Sequence, residues 1–391
     1  MNDETNESTK AARAEMRKAA FVGIAKRIAG RDEADPAGAF ARELAAAGYG
    51  STATTAPPPP RVSSLLSATY ERLQRRADGD EPAIELPHGI AEVYQDGLRF
   101  GMHMLVGGTG TGKSQIALAM ALHAARSGTP VLYVALELDE LQIVTRLAML
   151  AAGRGMWSTV YLGNGSAEDR AHFANGMEAL RDLPIHVVEA PPAAYSPADL
   201  RRDVEAVRAV YPEPKPGAEP MLVVVDFVQI MGGEGREELR ERIGRAGYAC
   251  RALARDHNAA MLVLSSSARE NYKADGALLN IVSMAKLDGG GEVGAPTAIV
   301  GLGKESGDLE SAADSVSVLA RVGPHLVIAA GKARAGVTRW CALTFDGTQV
   351  DEGNRADVLA AAEESPKGNG TGRSSKPSKP SKASGTGWEL P

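Results

Sequence analysis

Hydrophobic and polar residues along the chain form two kinds of segment. Short apolar runs at 101–106, 130–136 and 221–225, rich in Val, Leu and Met, predict buried strands. The segment 115–126 contains no Pro or Gly and is followed by Gly128, which predicts a helix with a glycine just past its end. The alternation of such strands and helices predicts an α/β fold, with a mostly parallel sheet flanked by helices.

The same patterns continue along the chain. Helices are predicted at 141–151, from Ser166, from Ser196 and at 236–257, and strands at 185–189, 260–265, 316–322, 326–330 and 340–345. Ser196 is followed by Pro197 and Asp199, which suit the first and third positions of a capped helix. The segments 153–165 and 266–302 lack a sustained period and are predicted to be loops.

Segments outside this core are shorter. Residues 10–30 and 36–48 predict two small amphipathic helices, and the prolines at 57–60 predict a stiff spacer. The next helix carries an apolar face that we interpret as a docking surface, either for a neighbouring subunit or for its own domain: Val62, Leu65, Leu66, Tyr70 and Leu73. We therefore divide the chain into an N-terminal helical segment (1–56), a spacer with docking helix (57–80), an α/β core (81–350) and a disordered Lys/Pro/Ser/Gly-rich tail (351–391).

Composition and charge limit the class of protein. The 391 residues are 44% hydrophobic and 24% charged, which is enough for one large α/β core with smaller appendages. Cys250 and Cys341 fall in apolar segments and predict core residues in a reducing compartment. No apolar run reaches the length of a membrane span and no signal peptide is evident, so we expect a cytoplasmic protein without membrane contact. The net charge of −6 leaves local loops, or a pore built from several subunits, as the places for DNA.

A glycine-rich stretch carries the clearest chemistry. It fits the pattern of Gly, four residues, then Gly-Lys-Ser, and it lies between a predicted strand and a predicted helix: Gly107, Gly108, Thr109, Gly110, Thr111, Gly112, Lys113 and Ser114. Glycines let backbone N–H groups turn inward around a polyphosphate, Lys113 supplies a mobile positive charge, and Ser114 offers a hydroxyl to Mg²⁺. We therefore predict a site for ATP and Mg²⁺.

Two carboxylates stand where predicted strands end. In parallel sheets the carboxyl ends of the strands line the ligand crevice, so Glu137 would face the phosphates and could orient or deprotonate a water molecule. Alternatively, Glu137 is a solvated residue that opens the next helix together with Asp139 and Glu140. Asp226 ends a strand of the fully buried type and could hold Mg²⁺ through water.

Five motifs then follow in order between residues 86 and 346. They are the loop 107–114, Leu136-Glu137, Asp226-Phe227-Val228-Gln229-Ile230-Met231, Lys304-Glu305-Ser306-Gly307 with Glu310 and Asp314, and Gly331-Lys332-Ala333-Arg334. In this order they resemble the RecA-like motor domain of DnaB-type replicative hexameric helicases, over about two thirds of the chain. The resemblance implies a RecA-like P-loop NTPase fold for the core.

The resemblance also implies roles for particular residues. Glu137 would be the catalytic base, Ser114 and Asp226 would organise Mg²⁺, and Lys332 with Arg334 would reach the γ-phosphate held by the adjacent subunit. Gln229 is counted among the nucleotide-binding residues. Single-stranded DNA would lie in the channel of a homo-oligomeric, hexameric ring against loops that include the candidate contacts Arg269, Lys273 and Lys286. A loader or replication-initiation protein is a further expected partner.

The sequence departs from the family pattern in three places. Ser266 stands where the family places a Gln that senses the γ-phosphate, the segment 271–302 is long, and the N-terminal region is short. A plasmid, phage or mobile-element relative therefore fits better than a host's main helicase. Two alternatives remain open: a RecA-like recombination or repair ATPase, and a nucleotide-gated ring that binds DNA or a regulatory partner without unwinding.

Overall fold

The computed structural model describes residues 22–28, 39–40, 43, 61–191, 193–213, 219–232, 238–266, 307–322, 324–336 and 338–364. The chain divides into two compact units, Met1–Gln74 and Arg75–Pro391. The candidate DNA contacts Arg269, Lys273 and Lys286, the prolines at 57–60 and the tail from 365 lie outside the described residues.

A nine-stranded sheet forms the centre of the larger unit. Its strands are β1 (Gly101–Gly107), β2 (Val131–Ala135), β3 (Ile185–Glu189), β4 (Met221–Asp226), β5 (Ala259–Ser266), β6 (Ser315–Val322), β7 (His325–Ala333), β8 (Trp340–Phe345) and β9 (Val350–Glu352). They lie in the order β3-β2-β4-β5-β1-β6-β7-β8-β9. The pairs from β3 through β6 are parallel, and β7, β8 and β9 add antiparallel partners. The predicted α/β fold with a mostly parallel sheet is confirmed.

Helices connect these strands. Those described are α1 (Val62–Ala77), α2 (His88–Val93), α3 (Lys113–Arg126), α4 (Glu140–Ala152), α5 (Trp157–Tyr161), α6 (Ala167–Leu180), α7 (Pro197–Val210), α8 (Leu239–Asp256), α9 (Gly307–Ala312) and α10 (Arg355–Glu364). Ser166 and Ser196 cap α6 and α7 through reciprocal hydrogen bonds with the residue three positions on, as their local sequences favour. These caps fix the residues at which the two helices begin.

The core covers both faces of the sheet. Strands β1, β2 and β4 are buried at every position, which explains why their sequences are continuously apolar. One hydrophobic cluster contains α7 and α8 residues, and the other contains α3 and α4 residues. Cys250 and Cys341 are free and buried, as predicted. The central strands therefore form a rigid base for the residues at their ends.

Two sequence-based boundaries need correction. The predicted loop 153–165 contains the helix α5, and the segment predicted to be a disordered tail from 351 begins with the end of β9 and the helix α10. β9 pairs with β8, and Val358 of α10 is 1% exposed. One buried valine in an alanine-rich helix gives too little periodicity to be detected from sequence, so tertiary packing decides this element.

The smaller unit contains a helix over 22–28, where Ile24 and Ile28 form a small cluster with Ala39 and Phe40. Helix α1 contains the boundary between the two units. The apolar residues predicted to share its face are between 47% and 74% exposed: Val62, Leu65, Leu66, Tyr70 and Leu73. Within the described part of the chain, no helix combines the length and apolar character needed to cross a membrane.

Candidate functional site

The glycine-rich loop connects the end of β1 to the start of α3. Gly110 has φ 76° and Gly112, the residue before α3, has φ 100°, a left-handed conformation that glycine adopts without steric cost. A Cβ on Gly107 would lie 2.9 Å from Oγ1 of Thr111 and 3.0 Å from the carbonyl oxygen of Leu319. The loop therefore needs glycine at these positions for its shape, as well as for approach to a ligand.

Side chains of the loop fold back onto its own backbone. The hydroxyl of Thr111 donates to the carbonyl of Gly108 at 2.8 Å. The ammonium of Lys113 donates to the carbonyls of Gly107 and Gly108, both at 2.9 Å. The cation is thus held over the loop, and Thr109 and Gly110 at the tip are exposed. Oxygen atoms of a phosphate group can replace these carbonyls as acceptors for Lys113.

Asp226 lies at the end of β4 and is 2% exposed. Its Oδ2 accepts a hydrogen bond of 2.7 Å from the phenol of Tyr133, and Ser114 is close enough to the same carboxyl group to lower its pKa. Burial raises the pKa of Asp226, and the hydrogen bonds from Ser114 and Tyr133 and the charge of Lys113 act in the opposite direction. The carboxylate predicted from the strand end is therefore buried beside the last residue of the loop.

Glu137 is exposed just beyond β2. The preceding residue, Leu136, donates its N–H to the carbonyl of Asp226, so the two carboxylates end adjacent strands. Asp139 caps α4 by accepting the N–H of Gln142 at 2.7 Å. Asp139 is therefore the capping residue of α4, and Glu137 precedes the helix.

Arg146 of α4 was missed in the sequence. Its guanidinium lies 3.9 Å from the ring centroid of Trp157, and its Nε is buried without a hydrogen-bond partner among the described residues. Burial lowers the pKa of Arg146, while Tyr133, Asp226 and Glu137 raise it. Arg146 thus adds a positive charge that interacts electrostatically with both carboxylates. The sequence offered one indication of this position: Arg146 follows Asp139 by seven residues, which is about two helical turns.

Gln229 lies in a short 3-10 turn, Val228–Ile230, directly after β4. Its amide donates to Oγ of Ser265 at 2.6 Å and to the carbonyl of Ser266 at 3.3 Å. Ser266 pairs with Gly107 in the sheet. The amide of Gln229 is therefore next to the strand end where the family pattern has its own Gln.

Phe345 and Arg321 lie on another side of the loop. A Cβ on Gly112 would be 3.5 Å from the ring of Phe345, and the guanidinium of Arg321 is 5.8 Å from the centroid of that ring. Phe345 ends β8 and is half-buried, while Arg321 is exposed. An aromatic face next to a phosphate loop is suited to stacking on a nucleobase.

Lys332 and Arg334 follow a β-bulge near the end of β7. The pairing shifts between Val316 and Ser317, which leaves Gly331 as an extra residue. Lys332 donates its ammonium to the carbonyl of Glu310 and is part-buried. Burial lowers the pKa of Lys332, and the charge of Arg334 lowers it further. The guanidinium of Arg334 pairs with Asp314 at 3.2 Å and donates to the carbonyl of Ser311 at 2.6 Å.

These two cations lie at the opposite edge of the sheet from the phosphate loop. The N–H of Arg334 donates to the carbonyl of Asp314 at 2.8 Å, and the N–H of Asp314 donates to the carbonyl of Met102 at 2.7 Å, at the start of β1. The loop begins at the other end of β1, and a strand of 7 residues spans about 20 Å. Arg334 therefore cannot act on a phosphate bound by Lys113 of the same chain.

A cavity of about 840 Å³ opens at this second edge, and Arg334 is one of its lining residues. Arginines dominate the lining: Arg76, Arg99, Arg251, Arg255, Arg334 and Arg339. Asp96 and Asp314 are the carboxylates among the lining residues, and Phe100 and Tyr248 add aromatic surface. The edge is therefore suited to an anionic group.

Comparisons with known proteins identify the family and the fold. The family model described as DnaB-like helicase C terminal domain matches residues 92–351. Among solved structures, one described as an ATPase domain aligns with a TM-score of 0.61 and 16% identity, over 75% of this chain and 99% of that chain. A DnaB-like replicative helicase, described with its interactions with primase, aligns with a TM-score of 0.59 and 16% identity, over 90% of this chain and 81% of that chain. At such identities the two structures show the fold. No curated protein matches the sequence significantly.

Proposed function

Because the chain belongs to the DnaB-like helicase C terminal domain family, we propose that it is an ATP-driven DNA motor of the replicative helicase type. ATP and Mg²⁺ bind at the glycine-rich loop, and single-stranded DNA passes through a ring of identical subunits. The observation that carries this proposal is the position of Lys113 and Arg334 at opposite ends of β1. Each chain would therefore contribute its Lys113 loop to one active site and its Arg334 to a different active site.

The loop supports the assignment of ATP as the substrate. Its glycines hold a shape that a Cβ would disturb, and the ammonium of Lys113 is already placed over the loop. The helix α3 starts at Lys113 and directs the positive end of its dipole toward the same space. In this proposal Lys113 contacts the β- and γ-phosphates, and Phe345 stacks on the base.

Ser114 and Asp226 fit a Mg²⁺ ion that is also coordinated by phosphate oxygens. Mg²⁺ in such sites is held by one or two protein oxygens together with substrate oxygens and water, so a larger acidic cluster is not required. The described residues contain no group of three or more metal-ligating side chains. When bound, the ion would neutralise charge that develops on the β- and γ-phosphates.

Glu137 is the proposed base. It is exposed at the edge where Asp226 ends its strand, and Asp139 rather than Glu137 caps the helix that follows. Its carboxylate would accept a proton from the attacking water molecule. The charge of Arg146 acts on Asp226, and we assign Arg146 the role of lowering the pKa of this buried carboxyl group.

Arg334 and Lys332 are proposed to act on the nucleotide of the adjacent subunit. Positive charge supplied by a neighbouring chain stabilises the transition state of phosphoryl transfer. A contact between different faces of identical chains is heterologous, and a closed ring satisfies every such face. The exposed apolar face of α1 would be covered by a neighbour in the same ring, and we propose six subunits by analogy with the family.

The proposal extends to partners that the described residues do not contain. Arg269, Lys273 and Lys286 remain the proposed contacts to single-stranded DNA in the channel. A loading or replication-initiation protein would place the ring on DNA. A role at replicating DNA would place the protein in the cytoplasm.

One observation favours a second candidate, a ring that binds DNA in response to ATP without unwinding it. Ser266 occupies the strand end beside Gly107, and a serine hydroxyl reaches less far than the glutamine expected there. The amide of Gln229 lies at this place and is the proposed substitute. If Gln229 does not fill that role, hydrolysis and movement would be uncoupled.

Strand displacement separates the two candidates. A forked and a blunt duplex are each incubated with the protein and either ATP or a non-hydrolysable analogue. If the protein is a helicase, it should displace the strand of the forked duplex with ATP and should not displace it with the non-hydrolysable analogue. Stable DNA binding with either nucleotide, ATP hydrolysis and no displacement under any condition would favour the binding ring.

A further inference from the structure

The turn after β7, which carries Arg334, is contacted by the side chain of Gln95. Nε2 of Gln95 donates to the carbonyl oxygen of Ala335 at 2.5 Å, across 240 residues of sequence. The next residue, Gly336, has φ 94°, and a Cβ there would overlap the amide of Gln95. The amide therefore lies directly against the backbone that follows Arg334.

Gln95 is itself held on a rigid support. The N–H of Asp96 donates to the carbonyl of Ala91 at the end of α2, and Leu98 and Ile84 exchange two hydrogen bonds, of 2.7 Å and 3.1 Å. A Cβ on Gly97 would lie 2.5 Å from the carbonyl of Ile84, so the two backbone segments are in close contact there. The connection between α2 and β1 is therefore fixed on both sides of Gln95.

The backbone of this connection is strained. Gln95 has φ 56° and Asp96 has φ 69°, left-handed values that residues other than glycine adopt at a cost. Such conformations persist where surrounding contacts impose them, and they concentrate at functional sites. Here the strained connection and Arg334 line the same cavity.

Gln95 holds the backbone of this turn on one side, and the hydrogen bond from the N–H of Arg334 to the carbonyl of Asp314 holds it on the other. The guanidinium of Arg334 is held by Asp314 and the carbonyl of Ser311, and both partners must be released before it can reach a phosphate. Gln95 binds a backbone carbonyl, so its hydrogen bond does not involve the guanidinium. We propose that Gln95 is a positioning residue that fixes the turn, so that Arg334 reaches the neighbour's phosphate in a defined geometry. This inference rests on the proposed function of Arg334.

Mixed rings provide the test. Arg334→Ala protomers keep an intact phosphate loop, and Lys113→Ala protomers keep an intact Arg334, so a mixture should recover ATP hydrolysis at the interfaces that combine the two. Gln95→Gly is then added to one kind of protomer at a time. Glycine suits a φ of 56°, so this substitution removes the amide without adding backbone strain.

The control is the comparison between Gln95→Gly in one kind of protomer and Gln95→Gly in the other. In the Lys113→Ala protomer, which donates Arg334, it should lower the recovered kcat by about 5–50-fold, a part of the roughly 10³–10⁵-fold attributed to such an arginine. In the Arg334→Ala protomer it should change the recovered kcat less than about twofold, because the turn of that protomer already lacks the arginine. KM for ATP should stay the same in both mixtures. Gln95→Glu, which keeps the length but lacks the donor N–H, should behave like Gln95→Gly.

The outcomes are distinguishable. Equal loss in both placements would mean a general structural role, and no loss in either would mean that the contact is dispensable. Each of these results overturns the inference about Gln95 while leaving the shared site intact. If subunit exchange is verified and the mixture of the two single variants recovers no hydrolysis, the shared site is refuted and the inference about Gln95 with it.

Discussion

The phenol of Tyr133, in the middle of β2, donates a 2.7 Å hydrogen bond to Oδ2 of Asp226 at the end of the adjacent strand β4, and both side chains are buried. The bond fixes the orientation of the carboxylate that we propose holds Mg²⁺ together with Ser114. Tyr133→Phe removes only the donor. We expect about a three- to tenfold higher Mg²⁺ concentration for half-maximal ATP hydrolysis, because an unfixed carboxylate loses its orientation, as for other supporting partners of metal ligands.

Tyr195 offers a matched control for this prediction. Its phenol donates to Oδ2 of Asp203, a residue of α7, at 2.9 Å. Tyr195→Phe should cost free energy of unfolding, about 1–3 kcal/mol for a lost hydrogen bond to a carboxylate, and should leave the Mg²⁺ dependence unchanged. If the Tyr133→Phe variant and the wild type have the same Mg²⁺ dependence, Tyr133 does not support the metal site.

Glu137→Gln keeps the shape of the side chain and removes its basicity. We expect ATP binding to persist and turnover to fall about 10²–10⁴-fold, the range for a positioned general base. Glu140→Gln, at an exposed residue three positions later, is the control and should retain turnover. The measurement is single-turnover hydrolysis beside equilibrium nucleotide binding. A loss of less than about tenfold in Glu137→Gln would return this residue to the solvated role left open in the sequence.

Lys113→Ala and Arg334→Ala should each be inactive in ATP hydrolysis for different reasons. The first variant loses nucleotide binding, and the second still binds ATP because its loop is intact. Mixing the two should restore hydrolysis at interfaces that pair an intact loop with an intact Arg334. The activity is measured across mixing ratios after exchange has been verified with labelled subunits. Normal hydrolysis by Arg334→Ala alone would contradict a site shared between chains.

The apolar face of α1 should hold the ring together. Leu66→Glu places a charge in the centre of that face, and we expect dissociation at protein concentrations where the wild type is oligomeric. Ala68→Glu places the same charge on the same helix outside the face, and should keep the wild-type mass. Sedimentation velocity gives the comparison. If Leu66→Glu has the same oligomeric state as the wild type, the apolar face of α1 does not hold the ring together.

His103 should make stability depend on pH. Nε2 donates to the carbonyl of Arg99 at 2.8 Å, so Nδ1 accepts from the hydroxyl of Ser315 at 2.8 Å. Burial lowers the pKa of His103 below 6.5, and the unfolded chain therefore binds more protons than the folded chain below that pH. The free energy of unfolding should fall as pH decreases below about 6.5, by at most about 1.4 kcal/mol per pH unit from this residue.

Urea unfolding at pH 7 and at pH 5.5 measures this slope. His103→Asn removes the titrating ring and should reduce the difference between the two pH values. His88→Asn, at a side chain that is 79% exposed, is the matched control and should keep the wild-type difference. An identical slope in the wild type and His103→Asn would show that other groups account for the acid sensitivity.

Local patterns in the sequence determined the elements around the loop. Continuous apolar runs predicted β1, β2 and β4 because strands buried on both faces contain no polar alternation. The placement of Glu137 and Asp226 after β2 and at the end of β4 followed from the same runs, since parallel strands end at one edge of the sheet. The glycines, Lys113 and Ser114 were identified because the chemistry of the loop is contiguous in sequence.

The tertiary structure alone decided which distant residues meet. In the sequence, Tyr133 is one of several residues in a continuous apolar run. Its phenol reaches Asp226 only because β2 pairs with β4. Arg146 reaches the carboxylates through the packing of α4, and Gln95 reaches Ala335 across 240 residues. Arg334 lies at the start of β1 because β7 runs antiparallel to β6. Strand order, direction and register depend on contacts between segments far apart in the chain, and no local periodicity encodes them.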